Sequence, residues 1–147
     1  PGQLHHMVAN FLSQVLVRDV MQSEIPTIHK DTSIKQASEC IIDSDFTHIP
    51  VVGGKGKLAG ILTAWDVASA VANDYDSLAP IMTRDVITAL PEEPIKQVTD
   101  KINQYNISAL PVVNEDRKVM GIVTSDSITQ LVQGQQPIPG TEKVEKD

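Results

Sequence analysis

The most constraining feature of this sequence is an internal repeat. Residues 17–66 align with residues 78–127 without a gap, and 13 of the 50 aligned positions are identical. Chance would give about 3 identities, at roughly 6% per position. The matches include two Pro-Val-Val segments, at 50–52 and 111–113. A repeat at a fixed period indicates two copies of one structural unit.

Each copy carries the same order of local signals. In the first copy, an extended segment at Glu24–His29 precedes helix-capping side chains at Asp31–Ser33. Apolar residues then recur at helical spacing, and two apolar runs separated by the turn Gly53–Lys57 predict a β-hairpin. A final apolar stripe predicts another helix, so the unit is β-α-β-β-α. The predicted strands are 49–52, 58–63, 110–113 and 119–124, and the final helices are 66–71 and 128–132.

The size of one unit predicts how the two copies combine. About 55 residues bury too little apolar surface to be stable alone. We therefore expect an α/β (α+β) fold in which the copies pack sheet to sheet about a pseudo-twofold axis, with related clefts at the junction. The predicted segments are a lead-in helix or vector-encoded remnant at 1–16, repeat 1 at 17–72, a linker at 73–77, repeat 2 at 78–133 and a flexible tail at 134–147.

Charge and composition argue against several classes of function. The chain has 19 acidic and 12 basic residues, a net charge of −7, which disfavours binding to nucleic acid or an anionic membrane. No apolar run approaches the roughly 18 residues of a membrane span. The single cysteine, Cys40, suits a reducing compartment, so we expect a soluble, cytoplasmic protein. No nucleophile–base or metal-ligand spacing recurs, and we expect no enzyme activity, catalytic cofactor or metal site.

Three segments resemble motifs of the cystathionine β-synthase (CBS) domain. They are GILTAWD at 60–66, MTRDVIT at 82–88 and ISALPVV at 107–113. The duplicated pattern is similar to a tandem CBS pair, the Bateman module, over about 115 residues. Segments 60–72 and 81–89 look like the CBS pair of archaeal homocysteine-biosynthesis proteins. The resemblance implies a regulatory module that binds an adenosyl effector: AMP, ADP, ATP, S-adenosylmethionine or methylthioadenosine.

The chemistry of the segment at 60–66 fits such a ligand. A strand is predicted to end at Thr63 and a helix to begin near Asp66, so unpaired backbone amides of the first helical turn can bind oxygen atoms. The Thr63 hydroxyl can donate to a phosphate or carboxylate, and the Asp66 carboxylate can accept from ribose hydroxyls. Taken alone, the same residues are also those of an ordinary helix cap.

The resemblance assigns residues to two clefts. In the first, the ribose and tail lie on Thr63 and Asp66, and the adenine lies against a second set of residues. That set is Thr83, Val86, Ile87, Ile107, Ser108, Ala109 and Pro111. The second, pseudo-symmetric cleft takes Ile25, Thr27, His48, Ile49, Pro50, Thr124 and Ser127.

The second cleft departs from the family pattern. Ser127 stands where Asp66 stands in the first copy, and the nearby carboxylate, Asp126, is one position early. One residue rotates a helical side chain by about 100°, so Asp126 is expected to point elsewhere. We expect the second cleft to bind more weakly.

Some residues allow more than one interpretation. His48 either faces the second cleft or packs at a strand edge, and Trp65 either covers a ligand or anchors the core between the repeats. The glycines at 53–57 lack the spacing of a phosphate-binding loop and form a hairpin turn. The alternative to a ligand sensor is a structural dimerisation module with degenerate pockets. The resemblance also implies a homodimer and an attached or associated enzyme or transporter.

Overall fold

The computed structural model describes residues 2–135 of the chain. The helices are α1 (Gly2–Gln14), α2 (Val17–Val20), α3 (Ile34–Ser44), α4 (Ala64–Ala72), α5 (Ile95–Tyr105) and α6 (Ser125–Gln135). The strands are β1 (Ile28–His29), β2 (His48–Val52), β3 (Leu58–Thr63), β4 (Ala109–Val113) and β5 (Val119–Thr124). The mixed α+β fold class is confirmed.

Each repeat contributes one small sheet. In repeat 1 the strand order is β1-β2-β3, with β1 parallel and β3 antiparallel to β2. In repeat 2 the hairpin β4-β5 is extended by Ala89, which bridges Val112 in the parallel direction. The predicted extended segment Glu24–His29 is a strand only over Ile28–His29. Both predicted hairpins are present, and their registers are equivalent.

Local sequence explains where α3, the long helix of repeat 1 that precedes its hairpin, begins and ends. The Ser33 hydroxyl accepts the backbone N–H of Gln36 at 3.1 Å, which caps the start of α3. Asp45 follows its last residue with φ of 65°, a left-handed conformation that ends the helix. The predicted cap at Asp31–Ser33 is thus provided by Ser33.

Alternation along β3 separates two apolar layers. Leu62 is fully buried and packs in the cluster of repeat 1, between its sheet and α3 and α4. Ile61, on the opposite face, packs with Ala109 and Ile122 from repeat 2. Because side chains alternate across a strand, one strand serves both the core of its own repeat and the contact between the two sheets.

The two repeats exchange backbone hydrogen bonds in a symmetric way. Ile61 of β3 donates to and accepts from Thr83, at the start of repeat 2, with N–O distances of 2.9 and 3.0 Å. Gln22, at the start of repeat 1, makes the same pair with Ile122 of β5, at 2.9 Å in each direction. The first segment of each copy is therefore bound to the last strand of the other.

Close approach at these contacts requires glycine. A Cβ atom on Gly60 would lie 2.7 Å from the carbonyl oxygen of Thr83, and one on Gly121 would collide with the carbonyl of Gln22. Gly60 and Gly121 are equivalent positions of the repeat. Both positions are glycine because the backbone of the other copy leaves no room for a side chain.

The flanking segments differ between the two ends of the chain. Helix α1 packs beside α5, and Leu12 is buried in the core of repeat 2 with Phe11 against it. Helix α6 continues to Gln135, two residues into the predicted tail. The remainder of that predicted tail, residues 136–147, lies outside the described residues.

Candidate ligand-binding cleft

A cleft of about 420 Å³ opens at the junction of the two repeats. Its wall from repeat 1 is formed by His48, Ile61 and Thr63, at the adjacent ends of β2 and β3. The rest of the wall comes from two segments of repeat 2, before and after α5. These residues are Thr83, Asp85, Val86, Ile87, Asn106, Ile107, Ser108 and Ala109.

The turn from β3 into α4 is held by a reciprocal cap. Thr63 Oγ1 accepts the backbone N–H of Asp66 at 3.0 Å, and Asp66 Oδ2 accepts the backbone N–H of Thr63 at 2.9 Å. Such a capping box fixes both side chains without a ligand. Within the described residues, only one oxygen of the Asp66 carboxylate takes part in a hydrogen bond. Asp66 is therefore a helix cap whose second oxygen is available.

His48 lies between the two repeats. Its Nδ1 is 3.0 Å from Thr47 Oγ1 in its own repeat, and its Nε2 is 3.4 Å from Ser108 Oγ in the other. Burial lowers the pKa of the His48 imidazole, and the negative charge of Asp66 opposes this to a smaller extent. The ring is therefore predominantly neutral at pH 7.

The charge of the cleft comes from carboxylates. Asp85 is its only lining residue with a formal charge at pH 7, and the cap residue Asp66 is close enough to act on the His48 ring. Neither lysine nor arginine is among the lining residues, and Arg84 is exposed outside them. The cleft thus combines apolar walls, three hydroxyl groups and negative charge.

The comparison with known proteins identifies the duplicated unit. The family model described as "CBS domain" matches residues 17–73 and again residues 78–134. This chain belongs to the CBS domain family. The two repeats are hereafter called CBS1 and CBS2, in chain order, and together the CBS pair.

A solved structure resembles this CBS pair over most of its length. The CBS domain pair of protein MJ0100, in complex with 5′-methylthioadenosine and S-adenosyl-L-methionine, is 43% identical with a TM-score of 0.77. That match covers 83% of this chain and 98% of the other. The fold of the two chains is therefore the same.

Two curated relatives are much longer proteins. Homoserine O-acetyltransferase of Methanohalobium evestigatum is 42% identical over 132 residues, which are 90% of this chain and 27% of the relative. L-aspartate semialdehyde sulfurtransferase of Methanosarcina acetivorans is 44% identical over 118 residues, which are 80% of this chain and 24% of the relative. The chain spans about a quarter of these relatives.

Most residues predicted for the first cleft lie together in the structure. Seven of the nine line it: Thr63, Thr83, Val86, Ile87, Ile107, Ser108 and Ala109. Asp66 stands beside it as the cap of Thr63 and is not among the lining residues. Pro111 is buried in β4, where its carbonyl accepts the N–H of Ala89.

The residues predicted for the second cleft lie in the segment before β1, in β2 and at the turn from β5 into α6. The structure places His48, whose equivalent in repeat 2 is Ala109, in the wall of the first cleft. Its assignment to the second cleft stays a prediction. The other six residues are not among the lining residues of the first cleft. Ile49 and Pro50 are fully buried in β2. Ile25 packs against the layer between the sheets, and Thr27 is exposed. Thr124 and Ser127 bond to each other at the start of α6, with Oγ1 and Oγ 2.9 Å apart.

Four lining residues were not assigned to this cleft from the sequence. They are His48, Ile61, Asp85 and Asn106. Asn106 follows α5 with φ of 54°, and asparagine after an apolar-striped helix is a signal for such a left-handed cap. Ile61 and Asp85 lie within motif segments, but only the fold shows that they face the cleft.

Trp65 is not an anchor between the repeats. Its side chain is 78% exposed at the start of α4 and is not among the lining residues of the cleft. The expectation that it packs in the core between the repeats is therefore wrong. The turn at 53–57 connects β2 to β3 through a short 3₁₀ segment, Gly54–Gly56, as a hairpin turn should.

Two further kinds of feature are absent from the described part of the chain. Across residues 2–135, no helix combines the length and apolar character needed to cross a membrane. Over the same range, no three His, Cys, Asp or Glu side chains are grouped so that they could hold a metal ion.

Proposed function

We propose that this CBS pair is a regulatory module that binds an adenosyl compound in the cleft between CBS1 and CBS2. The observation that carries the proposal is the cleft itself, which joins apolar walls from CBS2 to the capped turn of CBS1. Its volume of about 420 Å³ is that of a small-molecule site. The 43% identical CBS pair in complex with two adenosyl compounds supports this choice of ligand.

The geometry supports a division of the cleft into two ends. We assign the purine to the apolar end, where Val86, Ile107 and Ala109 form the walls. The ribose and the 5′ substituent are assigned to the turn at Thr63 and Asp66, where a hydroxyl and a second carboxylate oxygen are close together. An apolar wall with a few polar groups is typical of such sites.

The charge of the cleft favours one class of adenosyl ligand. A nucleotide phosphate is ordinarily held by arginine, lysine or several backbone amides. The lining residues of this cleft supply no basic side chain other than the predominantly neutral His48. We therefore propose that S-adenosylmethionine or methylthioadenosine binds more tightly than AMP, ADP or ATP.

Thermal unfolding with added ligand tests the proposal directly. A ligand at 100 times its dissociation constant stabilises the native state by about 2.7 kcal/mol. We expect the melting temperature to rise with S-adenosylmethionine and methylthioadenosine, and to rise less with AMP at the same concentration. Adenine-free ribose 5-phosphate is the control. No shift with any adenosyl compound at millimolar concentration would exclude the proposed function.

A second candidate function is dimerisation, and one surface favours it. Helix α4 carries only two polar residues, Asp66 and Ser69, and its outer residues Trp65 and Val71 are 78% and 55% exposed. Ile42 of the neighbouring α3 is 74% exposed. A helix that is hydrophobic nearly all round is normally buried. The exposed positions of α6 are polar or glycine by contrast.

We propose that two copies of the chain meet through this apolar surface of α3 and α4. Large apolar side chains are exposed on α3 and α4, whereas α5 exposes one, Tyr105, and the exposed residues of α6 are polar or glycine. CBS1 rather than CBS2 therefore provides the contact in this proposal. Light scattering should give about twice the monomer mass of 16.0 kDa. Trp65→Ser should reduce that mass, whereas Tyr105→Ser, on the exposed side of α5, should not. A wild-type mass near 16.0 kDa at micromolar concentration would refute the dimer.

The relatives suggest what the module controls. Because this chain spans about a quarter of two relatives with enzyme names, we propose that it regulates an attached or associated catalytic domain and has no catalytic activity itself. Activity of the full-length relative with and without its CBS pair, at several ligand concentrations, tests this point. A cytoplasmic location completes the proposal, since the single cysteine, Cys40, is a free thiol.

A further inference from the structure

His48 occupies a special position in the duplicated fold. It is the first residue of β2, and the equivalent first residue of β4 is Ala109. The two hydroxyl groups that flank its ring, on Thr47 and Ser108, are themselves at equivalent positions of the two copies. The imidazole therefore bridges CBS1 and CBS2 at the wall of the cleft, and only one copy of the repeat carries it.

The partners of the ring allow its charge to change without rearrangement. A neutral imidazole has one donor and one acceptor nitrogen, whereas a protonated ring has two donors. A hydroxyl can donate or accept, so Thr47 and Ser108 can satisfy both states at the same positions. Had either partner been an obligatory donor, protonation would have broken a hydrogen bond.

The other charged groups near the ring are carboxylates. Asp66 acts on it from the start of α4, and Asp85 lines the same cleft from the segment before α5. With a neutral ring the cleft carries negative charge and favours a cationic ligand. A protonated ring would offset one carboxylate and would repel a nearby cation.

We propose that His48 is a specificity-determining residue that selects the ligand by the charge of its 5′ substituent. The neutral ring admits a sulfonium group, and protonation of the ring disfavours it relative to an uncharged thioether. This inference rests on the proposed adenosyl-binding function. It adds a pH-dependent choice between ligands, made by a residue that only CBS1 contributes.

Calorimetric titration with two ligands tests the proposal. The probes are S-adenosylmethionine, which carries a sulfonium, and methylthioadenosine, which carries a neutral thioether, at pH 7.0 and pH 5.5. The proteins are the wild type, His48→Gln and His29→Gln. His29 is an exposed imidazole beside Val52, at the opposite end of β2 from His48, and serves as the matched control.

The quantity compared is the ratio of the two dissociation constants. In the wild type and in His29→Gln, we expect S-adenosylmethionine to bind more weakly relative to methylthioadenosine as the pH falls and the His48 ring takes up a proton. In His48→Gln the ratio should change only as far as the amino group of S-adenosylmethionine itself exchanges protons. Protons exchanged by the amino group of the ligand are common to all three proteins and cancel in the comparison.

The outcomes separate the role of His48 from the proposed function. If both ligands bind and the ratio changes equally in the wild type and His48→Gln, the role of His48 is wrong while adenosyl binding stands. A ratio that is constant in all three proteins leads to the same conclusion. If neither ligand binds any of the proteins at either pH, the proposed function fails, and the role of His48 fails with it.

Discussion

Replacing Asp66 with alanine separates helix capping from ligand binding. In the structure Asp66 Oδ2 accepts the N–H of Thr63 at 2.9 Å, and Thr63 Oγ1 accepts the N–H of Asp66 at 3.0 Å. The substitution removes the first bond and leaves the second, so the free energy of unfolding should fall by about 1 kcal/mol. For a chain of this size, that lowers the melting temperature by about 3 to 5 °C.

The effect of Asp66→Ala on adenosyl affinity should exceed its effect on folding. The second carboxylate oxygen of Asp66 is available to accept a ribose hydroxyl, and a hydrogen bond to a charged group contributes about 1.5 to 3 kcal/mol. A loss of about 1.4 kcal/mol corresponds to a factor of ten in the dissociation constant. We therefore expect S-adenosylmethionine and methylthioadenosine to bind at least about tenfold more weakly, as measured by calorimetry.

Ser127→Ala is the matched control, because Ser127 caps α6 as Asp66 caps α4. Ser127 Oγ accepts the N–H of Thr124 at 3.2 Å, and Thr124 Oγ1 accepts the N–H of Ser127 at 3.1 Å. This variant should lower the melting temperature by a similar amount and leave affinity at the first cleft unchanged. If Asp66→Ala behaves in the same way, its carboxylate is only a cap, and the assignment of the ribose to this turn is refuted.

Three further predictions concern stability. Lys101 Nζ donates to Glu93 at 2.9 Å and to the Thr88 carbonyl at 2.7 Å. Lys101→Met should therefore lower the free energy of unfolding, measured in urea, by about 1.5 to 3 kcal/mol. A loss below about 0.5 kcal/mol would contradict this. Gly60→Ala places a Cβ 2.7 Å from a carbonyl oxygen and should cost at least about 1 kcal/mol in the same assay; an unchanged midpoint would be the contrary result. Burial lowers the pKa of His48 in the folded state. The contribution of His48 to stability should therefore be present above about pH 6.5 and be lost as the pH falls through the folded pKa. Over that range, the melting temperature of His48→Gln should depend less on pH than that of the wild type.

The repeat explains why so much of the fold followed from sequence. Strand, turn and helix signals are local, and the duplication presented each of them twice, so the strand at 58–63 agrees with its predicted position. The weakest prediction was the extended segment Glu24–His29. It forms a strand at two residues only, and Gln22, just before it, pairs with the other repeat, a contact with no local signal.

In the candidate cleft, too, some lining residues could be predicted from the sequence and others could not. Thr63, Ser108 and five other predicted residues lie together because they belong to motif segments, which are continuous in sequence. His48 and Asn106 come to the same wall from other segments. Their positions depend on how CBS1 packs against CBS2, since His48 and Ser108, neighbours across the junction, are far apart in the chain.

The sequence by itself therefore determined the duplicated β-α-β-β-α unit, its apolar faces and the capped turn at Thr63, all of which rest on interactions within a few residues. The tertiary structure decided that Trp65 is exposed, that one oxygen of Asp66 is held by its own helix cap, and that the His48 ring bridges the two copies. The physical reason is that exposure, charge environment and cross-repeat hydrogen bonds depend on the relative placement of the two units. No periodicity within either unit encodes that placement.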